Sequence, residues 1–216
     1  MARIAVVGAT GPTGVHVVDQ ALARGNDVVA YVRRPEAVAS RPNLTVVGGQ
    51  LDDTDAFAAA IAGCDVVVCT LGTRSWLERG FMTKHLPFVT RAMQRAGVQR
   101  LVLMSALGGG PVPPRSKGIA RLVFLALSKT IFADRTHSEE ALQRTGIAHA
   151  MLYPGFLNDD AALPDVETAD IDDIRDVRDS KIPRANVAAV LVDLAEDPSS
   201  AGRRIIIAPK GRIKLA

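Results

Sequence analysis

The sequence contains few aromatic residues, little cysteine and no long apolar run. Among 216 residues there are one Trp, two Tyr and six Phe. The two cysteines, Cys64 and Cys69, are too few for a disulfide scaffold or a cysteine-rich zinc site. No apolar run approaches the ~18 residues of a membrane helix, and the first residues carry no basic region or small-residue cleavage site. We therefore expect a cytoplasmic protein without a membrane span.

Neither sign of charge dominates the sequence. It has 26 Lys and Arg against 23 Asp and Glu, a formal net charge of +3. The basic residues form no clusters that would predict a nucleic-acid partner. Hydrophobic residues at 48 % and charged residues at 23 % are typical of a globular protein and exclude disordered and fibrous classes. The length suits one domain, with no repeat or linker, present as a monomer or a homodimer.

Short apolar runs alternate with helical stretches in the first half of the chain. The predicted strands are Arg3–Val7, Asp27–Val32, Leu44–Val47, Asp65–Thr70 and Arg100–Ser105. The predicted helices are Thr13–Arg24, Asp53–Ala62 and Thr83–Ala96, and a glycine follows each. This alternation predicts an α/β fold, a Rossmann-like doubly wound parallel sheet with helices on both faces.

The second half is less regular. A loop rich in glycine and proline spans 108–114, and the elements predicted after it are helices Ile119–Thr130 and Asp134–Thr145, strand Ile147–Tyr153, helix Asn186–Leu194 and strand Arg204–Ile207. The segment Asn158–Asp179 is polar, with nine acidic residues and two arginines, and we expect it to be irregular. It is either a solvated loop or an acidic flap over a substrate pocket, and a flap would favour neutral quinones over phosphorylated flavins.

The strongest motif lies between the first strand and the first helix. It reads Gly8-Ala9-Thr10-Gly11-Pro12-Thr13-Gly14. Glycines at such a turn let backbone N–H groups and a helix N-terminus face a pyrophosphate. Gly8 would permit the turn, Gly11 the approach of phosphate, and Gly14 the packing of helix against strand. The spacing GxxGxxG differs from the common GxGxxG, and such glycines also serve in ordinary turns.

The end of the second strand predicts which cofactor binds. An acidic residue at this point holds the ribose hydroxyls of NAD, whereas arginine holds the 2′-phosphate of NADP. The sequence places Arg33 and Arg34 there, before Pro35. A planar guanidinium pairs well with phosphate, so we expect NADP(H) to be preferred over NAD(H). The alternative is a pair of solvated surface arginines.

A catalytic Tyr and Lys four residues apart, as used by many short-chain reductases, are missing. The two tyrosines are Tyr31 and Tyr153, and neither has a lysine four residues later. Carbonyl chemistry through a phenolate is therefore not expected, whereas a flavin or quinone takes hydride directly and draws its proton from solvent. Ser105, at the end of the fifth predicted strand, is the candidate catalytic residue, as a donor to the nicotinamide or the acceptor. Its alternative role is a strand-terminal serine bonded to nearby backbone.

Several segments together resemble a known family. They are GATGPTG, VRRP, VVGGQLDD, LGTR, LVLMSA and LYPGFLND, in that order. The chain resembles the atypical short-chain dehydrogenase/reductases with an NmrA-like NAD(P)-binding fold, and within them the flavin reductase and biliverdin-IXβ reductase group. This resemblance implies a cofactor-binding half at 1–106 and a substrate-side half at 107–216.

The resemblance also implies roles for matching residues. Those expected to contact the cofactor are Gly8, Thr10, Gly11, Pro12, Thr13, Gly14, Arg33, Arg34, Leu51, Leu71, Gly72, Thr73, Ser105, Ala106, Pro154 and Gly155. Gln50 stands where the family usually has aspartate beside the adenine. Phe156 would face the substrate; the biliverdin reductases have histidine there, which weighs against a tetrapyrrole acceptor.

Three further residues are candidates for the substrate side. Arg74 is either a substrate-side cation or a loop charge, and Trp76, like Phe81, would stack on a flat acceptor or pack locally. His137 lies on a predicted helix, as a proton donor or an exposed side chain. No histidine or cysteine has the companions that a metal site needs. The sequence thus predicts an NADPH-dependent reductase of a flavin, quinone or similar planar acceptor; the alternatives are an NADP(H)-binding regulator and, less favoured, a nucleotide-sugar epimerase relative.

Overall fold

A computed structural model describes residues 1–72, 80–106, 133–178 and 180–216. Its strands are β1 Arg3–Val7, β2 Asp27–Val32, β3 Leu44–Gly48, β4 Val66–Cys69, β5 Arg100–Met104, β6 Ala148–Pro154, β7 Leu157–Asn158, β8 Val166–Asp170, β9 Ile174–Val177, β10 Ile182–Pro183, β11 Arg204–Pro209 and β12 Ile213–Leu215. Its helices are α1 Pro12–Ala23, α2 Thr54–Ile61, α3 Phe81–Ala96, α4 at 133–143, and α5 Arg184–Glu196.

Eight of these strands form one sheet in the order β3-β2-β1-β4-β5-β6-β11-β8. Every neighbouring pair from β3 to β11 is parallel. The apolar runs that predicted these strands are buried in the centre of the sheet, as expected where both faces are covered. The predicted α/β fold of Rossmann type is therefore confirmed.

The helices cover the two faces of the sheet and form two apolar cores. One core joins α1 and α5 to the face that carries Ile4, Val68 and Val102. The other joins α2, α3 and α4 to the opposite face, with Phe57, Leu86 and Leu142 among its members. Cys64 and Cys69 are buried as free thiols in this second core. Among the described residues, no helix has the length and apolarity to cross a membrane.

The acidic segment is irregular only in part. Residues 159–165 have no regular structure, as expected, whereas the expectation of an irregular segment was wrong for residues 166–177. Val166–Asp170 pairs antiparallel with β11 and forms the edge of the main sheet. Ile174–Val177 pairs with β12, a strand that the sequence did not predict. No residue of β8 is fully buried, which fits a strand at the edge of the sheet.

Basic residues from the C-terminal third neutralise the acidic segment. Arg184 contacts Asp159 at 2.6 Å, and Arg203 contacts Asp170 at 3.3 Å. Longer contacts join Arg204 to Asp172 and Lys210 to Asp165. Exposed pairs of this kind contribute little stability individually. Because its acidic side chains are paired in this way, the segment gives no reason to expect repulsion of an anionic substrate. It therefore gives no reason to favour quinones over phosphorylated flavins.

Most other boundaries agree with the predictions to within a few residues. The stretch after β2 is a single 3₁₀ turn at Pro35–Ala37. The predicted helix Ile119–Thr130 and the loop 108–114 lie outside the described residues.

An acidic residue of α4 caps the N-terminus of α3. Gly80, the residue before α3, provides no side-chain cap. Asp134 accepts hydrogen bonds from the backbone N–H groups of Met82 at 2.9 Å and Thr83 at 2.8 Å. Burial of Asp134 opposes its ionisation, but the bonds from Thr83 and Met82 outweigh that effect and lower its pKa. The carboxylate thus joins two helices at the carboxyl edge of the sheet.

We expect Asp134→Ala to lower the free energy of unfolding at pH 7 by about 1 kcal/mol, as for other helix caps. Because the pKa of Asp134 is lowered in the folded state, the cap contributes fully above its unfolded pKa of about 4 and is lost as pH falls through the folded value. Urea unfolding at pH 7 and pH 3 measures both effects. Glu140→Ala, at an exposed acid of the same helix, is the control; an equal loss in both variants would contradict the assignment.

Candidate functional site

The predicted cofactor residues follow strands that end at one edge of the sheet. β2 and β3 lie on one side of β1, whereas β4, β5 and β6 lie on the other. The order of the strands therefore reverses between β1 and β4. Open α/β sheets bind ligands in the crevice at such a switch point, and the glycine loop after β1 lies there.

Three residues give the glycine loop its shape. Gly8 has a positive φ of 85°, and its carbonyl accepts the N–H of Gly11 at 2.8 Å. A Cβ atom on Gly14 would lie 2.0 Å from that carbonyl oxygen, so only glycine permits α1 to approach β1 this closely. The geometry gives Gly8 and Gly14 the turn and packing roles expected of them.

Within the described residues, no side chain caps the N–H donors in the first turn of α1, and such donors suit a phosphate. Its N-cap residue Gly11 makes no side-chain cap, and the first turn contains no acidic side chain. Thr13 is buried, whereas Thr10 and Pro12 are exposed beside it. Free N–H groups and the positive end of the helix dipole favour an anion at this position. The loop thus fits the pyrophosphate of a dinucleotide, although contact with phosphate stays a prediction.

Thr70, which the sequence analysis missed, supports this loop from the neighbouring strand. It follows β4 and is buried. Its hydroxyl lies within hydrogen-bond distance of the carbonyls of Val7 at 3.1 Å and Gly8 at 3.3 Å. A threonine two residues before the predicted Gly72 was the available signal.

Two unpaired cations lie beside the loop. Arg33 and Arg34 follow β2 and are exposed. Within the described part of the chain, neither is within salt-bridge distance of a carboxylate. The arrangement fits a 2′-phosphate because an exposed guanidinium with no acidic partner is available to an anion.

An aromatic pair lies under the loop after β3, on the side where the adenine is predicted. Tyr31 stacks on Phe57 at 4.5 Å and donates its hydroxyl to the Gln50 carbonyl at 3.1 Å. Leu51 is half-buried and packs on the same core. Gln50 stands where the family usually has aspartate. Its side chain is exposed, and its backbone carbonyl is held by the Tyr31 hydroxyl.

The loops after β4 and β6 border the crevice. Leu71 is half-buried, Gly72 is exposed, and the predicted residues Thr73, Arg74 and Trp76 lie outside the described residues. After β6, Pro154 is buried and Gly155 passes so close to Ser180 that a Cβ would lie 2.2 Å from its carbonyl oxygen. The parallel pair of β7 and β10 continues this contact and leaves Phe156 53 % exposed.

Ser105, which follows β5, is hydrogen-bonded to two other elements. Its backbone N–H donates to the Leu152 carbonyl at 2.8 Å, and its hydroxyl donates to Glu139 of α4 at 2.5 Å. Tyr153 of β6 donates to the other oxygen of the same carboxylate at 2.8 Å. Ala106, the next residue, is half-buried. The structure thus brings together a serine, a glutamate and a tyrosine from three elements.

Tyr153 is a hydrogen-bond donor in this cluster rather than a base. Burial and the neighbouring Glu139 carboxylate raise the pKa of Tyr153 to about 12. Arg135 lies one turn before Glu139 and donates to the Met104 carbonyl at 3.0 Å. Burial lowers the pKa of Arg135, and this effect exceeds the opposite effect of the Glu139 charge. Arg204 lies 6.0 Å from the centre of the Tyr153 ring. The carboxylate is therefore surrounded by two hydroxyl donors and two cations.

Sequence reasoning missed Glu139, Tyr153 and Arg135. The helix Asp134–Thr145 was predicted, but only His137 on it was a candidate, and that histidine is exposed on α4. Phe81 stacks on His85 at 4.3 Å, which is the local packing that had been the alternative to contact with an acceptor.

Comparison with known proteins identifies the family of this chain. The sequence matches the NAD(P)H-binding family over residues 8–198. An uncharacterized chloroplastic protein of Arabidopsis thaliana is 29 % identical over 213 residues, covering 92 % of this chain and 74 % of that protein. In two other curated relatives, a 3-beta-hydroxysteroid dehydrogenase of Mycolicibacterium neoaurum and a photosystem II assembly factor of Synechocystis, the match covers only about a third of the relative's length.

Solved structures share the fold. A short-chain dehydrogenase/reductase from Veillonella parvula in complex with NADP is 17 % identical, with a TM-score of 0.78 over 99 % of this chain and 97 % of that one. An anaerobilin reductase from Escherichia coli O157:H7 is 24 % identical, with a TM-score of 0.72 over 97 % and 98 %. Such identities establish the fold alone, whereas the family match extends from the glycine loop through α5. The chain therefore belongs to the NAD(P)H-binding family of Rossmann-fold proteins.

Proposed function

We propose that the protein is an NADPH-dependent reductase that transfers hydride to a planar acceptor such as a flavin or quinone. The observation that carries this proposal is the N-terminus of α1, which has no side-chain cap and packs closely on Gly8 because residue 14 is glycine. It lies beside the exposed Arg33 and Arg34, which have no carboxylate partner among the described residues. A bound nicotinamide would supply the hydride. The chain itself would bind and orient the two ligands in the crevice, which is where positioning contributes most of the rate.

The cluster below the crevice supports an acceptor that needs no protein base. Tyr153 keeps its proton at ordinary pH, because its pKa is raised to about 12. It also donates to Glu139 rather than lying free beside a lysine. Reduction of a ketone with proton donation from Tyr153 is thus disfavoured, because a phenol with a raised pKa gives up its proton poorly; oxidation of an alcohol by its phenolate is disfavoured for the same reason. A flavin or quinone takes its proton from solvent after hydride transfer.

A second candidate is an NADP(H)-binding regulator with little catalysis. The observation that favours it is the burial of Ser105, which is 2 % exposed and already bonded to Glu139. A protein that senses the cofactor needs the glycine loop and the arginines but no reactive group. The two functions differ in turnover, not in binding.

We expect purified protein to oxidise NADPH steadily with at least one of FMN, FAD, menadione and biliverdin, and to do so more slowly with NADH. Absorbance at the nicotinamide band follows the reaction, with protein that lacks acceptor as the blank. Tight NADPH binding without turnover on any acceptor would instead support the regulator. Absence of binding to either nucleotide would refute both.

Arg33→Ala should weaken NADPH binding by about 10-fold or more and change NADH binding little. The reason is the loss of one charge-assisted bond to a 2′-phosphate, worth about 1.5–3 kcal/mol. Equilibrium binding by nucleotide fluorescence gives both constants. Arg175→Ala, at an exposed arginine of β9, is the matched control. Equal weakening of both nucleotides by Arg33→Ala would remove the argument for NADP.

Gly14→Ala should weaken both nucleotides together, by about 10-fold or more. The added Cβ would meet the Gly8 carbonyl at 2.0 Å and must push α1 away from the loop, so the N–H donors no longer converge. Binding measurements on folded protein, checked by circular dichroism, test this. Val15→Ala, at an exposed neighbour on α1, should bind normally; unchanged affinity in Gly14→Ala would separate the loop from the cofactor.

A further inference from the structure

One carboxylate in α4 receives two buried hydroxyl groups. Ser105 Oγ lies 2.5 Å from Glu139 Oε1, and Tyr153 Oη lies 2.8 Å from Glu139 Oε2. The two donors come from adjacent strands and are only 2 % and 5 % exposed. Each oxygen of the carboxylate is therefore occupied by a separate O–H donor.

This arrangement determines the direction of the serine hydroxyl. A carboxylate only accepts hydrogen bonds, and a serine hydroxyl has a single hydrogen with two acceptor lone pairs. The Ser105 hydrogen thus points to Glu139. Hydrogen bonds to an ionised group are roughly twice as strong as those between neutral groups, so a ligand carbonyl does not compete well for that hydrogen.

The carboxylate is itself held in place. Arg135 lies four residues earlier on the same helix, and its charge interacts with that of Glu139. The Arg135 guanidinium is anchored to the Met104 carbonyl, the last residue of β5, at 3.0 Å. Arg135 therefore links α4 to the strand that carries Ser105, and Glu139 has little freedom to move away.

We propose that Glu139 is a positioning residue that keeps Ser105 a hydrogen-bond acceptor toward the crevice, so that the ligand group facing Ser105 is an N–H donor. The identity of the ligand rests on the proposed function. Within it, two ligands present such a donor: the carboxamide of a nicotinamide and the imide N–H of a flavin ring. A quinone presents only carbonyl oxygens, so where the group facing Ser105 belongs to the acceptor, a flavin-like acceptor satisfies this serine and a quinone does not.

The first experiment tests the Ser105–Glu139 bond in protein without ligand. Urea unfolding is measured for Ser105→Ala, Glu139→Gln and the double variant. We expect the double variant to lose clearly less stability than the two single losses added together, since both remove the same bond. Glu140→Gln, at the exposed neighbour on α4, should combine additively with Ser105→Ala. Additive losses for Glu139→Gln would overturn the proposal.

The second experiment measures binding with two pairs of probes. One pair is NADP⁺ and its 3-acetylpyridine analogue, in which a methyl group replaces the carboxamide nitrogen. The other pair is lumiflavin and 3-methyllumiflavin, in which a methyl group replaces the imide hydrogen. We expect the wild-type protein to prefer the N–H member of one pair by about fivefold to tenfold, the effect of one hydrogen bond.

The variants show whether Ser105 is the acceptor. Ser105→Ala should abolish the preference. Glu139→Gln should reduce it, because the glutamine amide can donate to Ser105 and free the serine hydrogen to meet a carbonyl or methyl ketone. A preference in the first pair assigns the donor to the cofactor, and one in the second assigns it to the acceptor.

Two outcomes of the binding experiment contradict the proposal. No preference in either pair, or a preference that Ser105→Ala retains, would overturn the proposal. Failure of the proposed function has a different signature, namely no binding of NADPH or NADH by the wild-type protein. The unfolding measurements report on Glu139 and Ser105 in either case.

Discussion

The close contact between α1 and the first turn is the constraint on which the site depends. Gly14 lies over the carbonyl of Gly8, where a Cβ would come within 2.0 Å. Thr70 holds the same carbonyl from the adjacent strand. This contact fixes the direction of the α1 axis. The N–H groups of the first turn of α1 therefore point toward the place where the order of the strands reverses. The arginines after β2 extend that positive region along the edge of the sheet.

The parallel sheet was predictable because its strands are buried on both faces. Runs such as Arg3–Val7 and Arg100–Met104 are almost continuously apolar, and glycines end the helices between them. The edge of the sheet was not predictable in the same way. β8 has three polar residues among its five and pairs with β11, which lies more than 30 residues later. Its partner is chosen by tertiary packing, for which local composition contains no signal.

The residues of the candidate site also fall into a group that the sequence predicted and a group that it did not. Residues that follow strands, such as Gly8, Arg33 and Ser105, were predictable because parallel strands bring their carboxyl ends to one edge. Glu139 was not, because its partner Ser105 is 34 residues away and the link depends on how α4 sits against β5 and β6. Tyr153 was considered only as half of a missing Tyr/Lys pair. Its actual neighbour is a carboxylate, which reverses its chemistry from base to donor.

Two charge patterns that look alike in sequence differ in the folded protein. The acidic residues around β8 have basic partners from the C-terminal third, so the local net charge is largely cancelled on the surface. Glu139 also has cations nearby, but its oxygens are taken by buried hydroxyls, and in low dielectric those bonds are stronger. Surface pairs tolerate rearrangement at little cost. The half-buried carboxylate of Glu139 does not, and in the proposed site it would therefore determine which face of Ser105 a ligand meets.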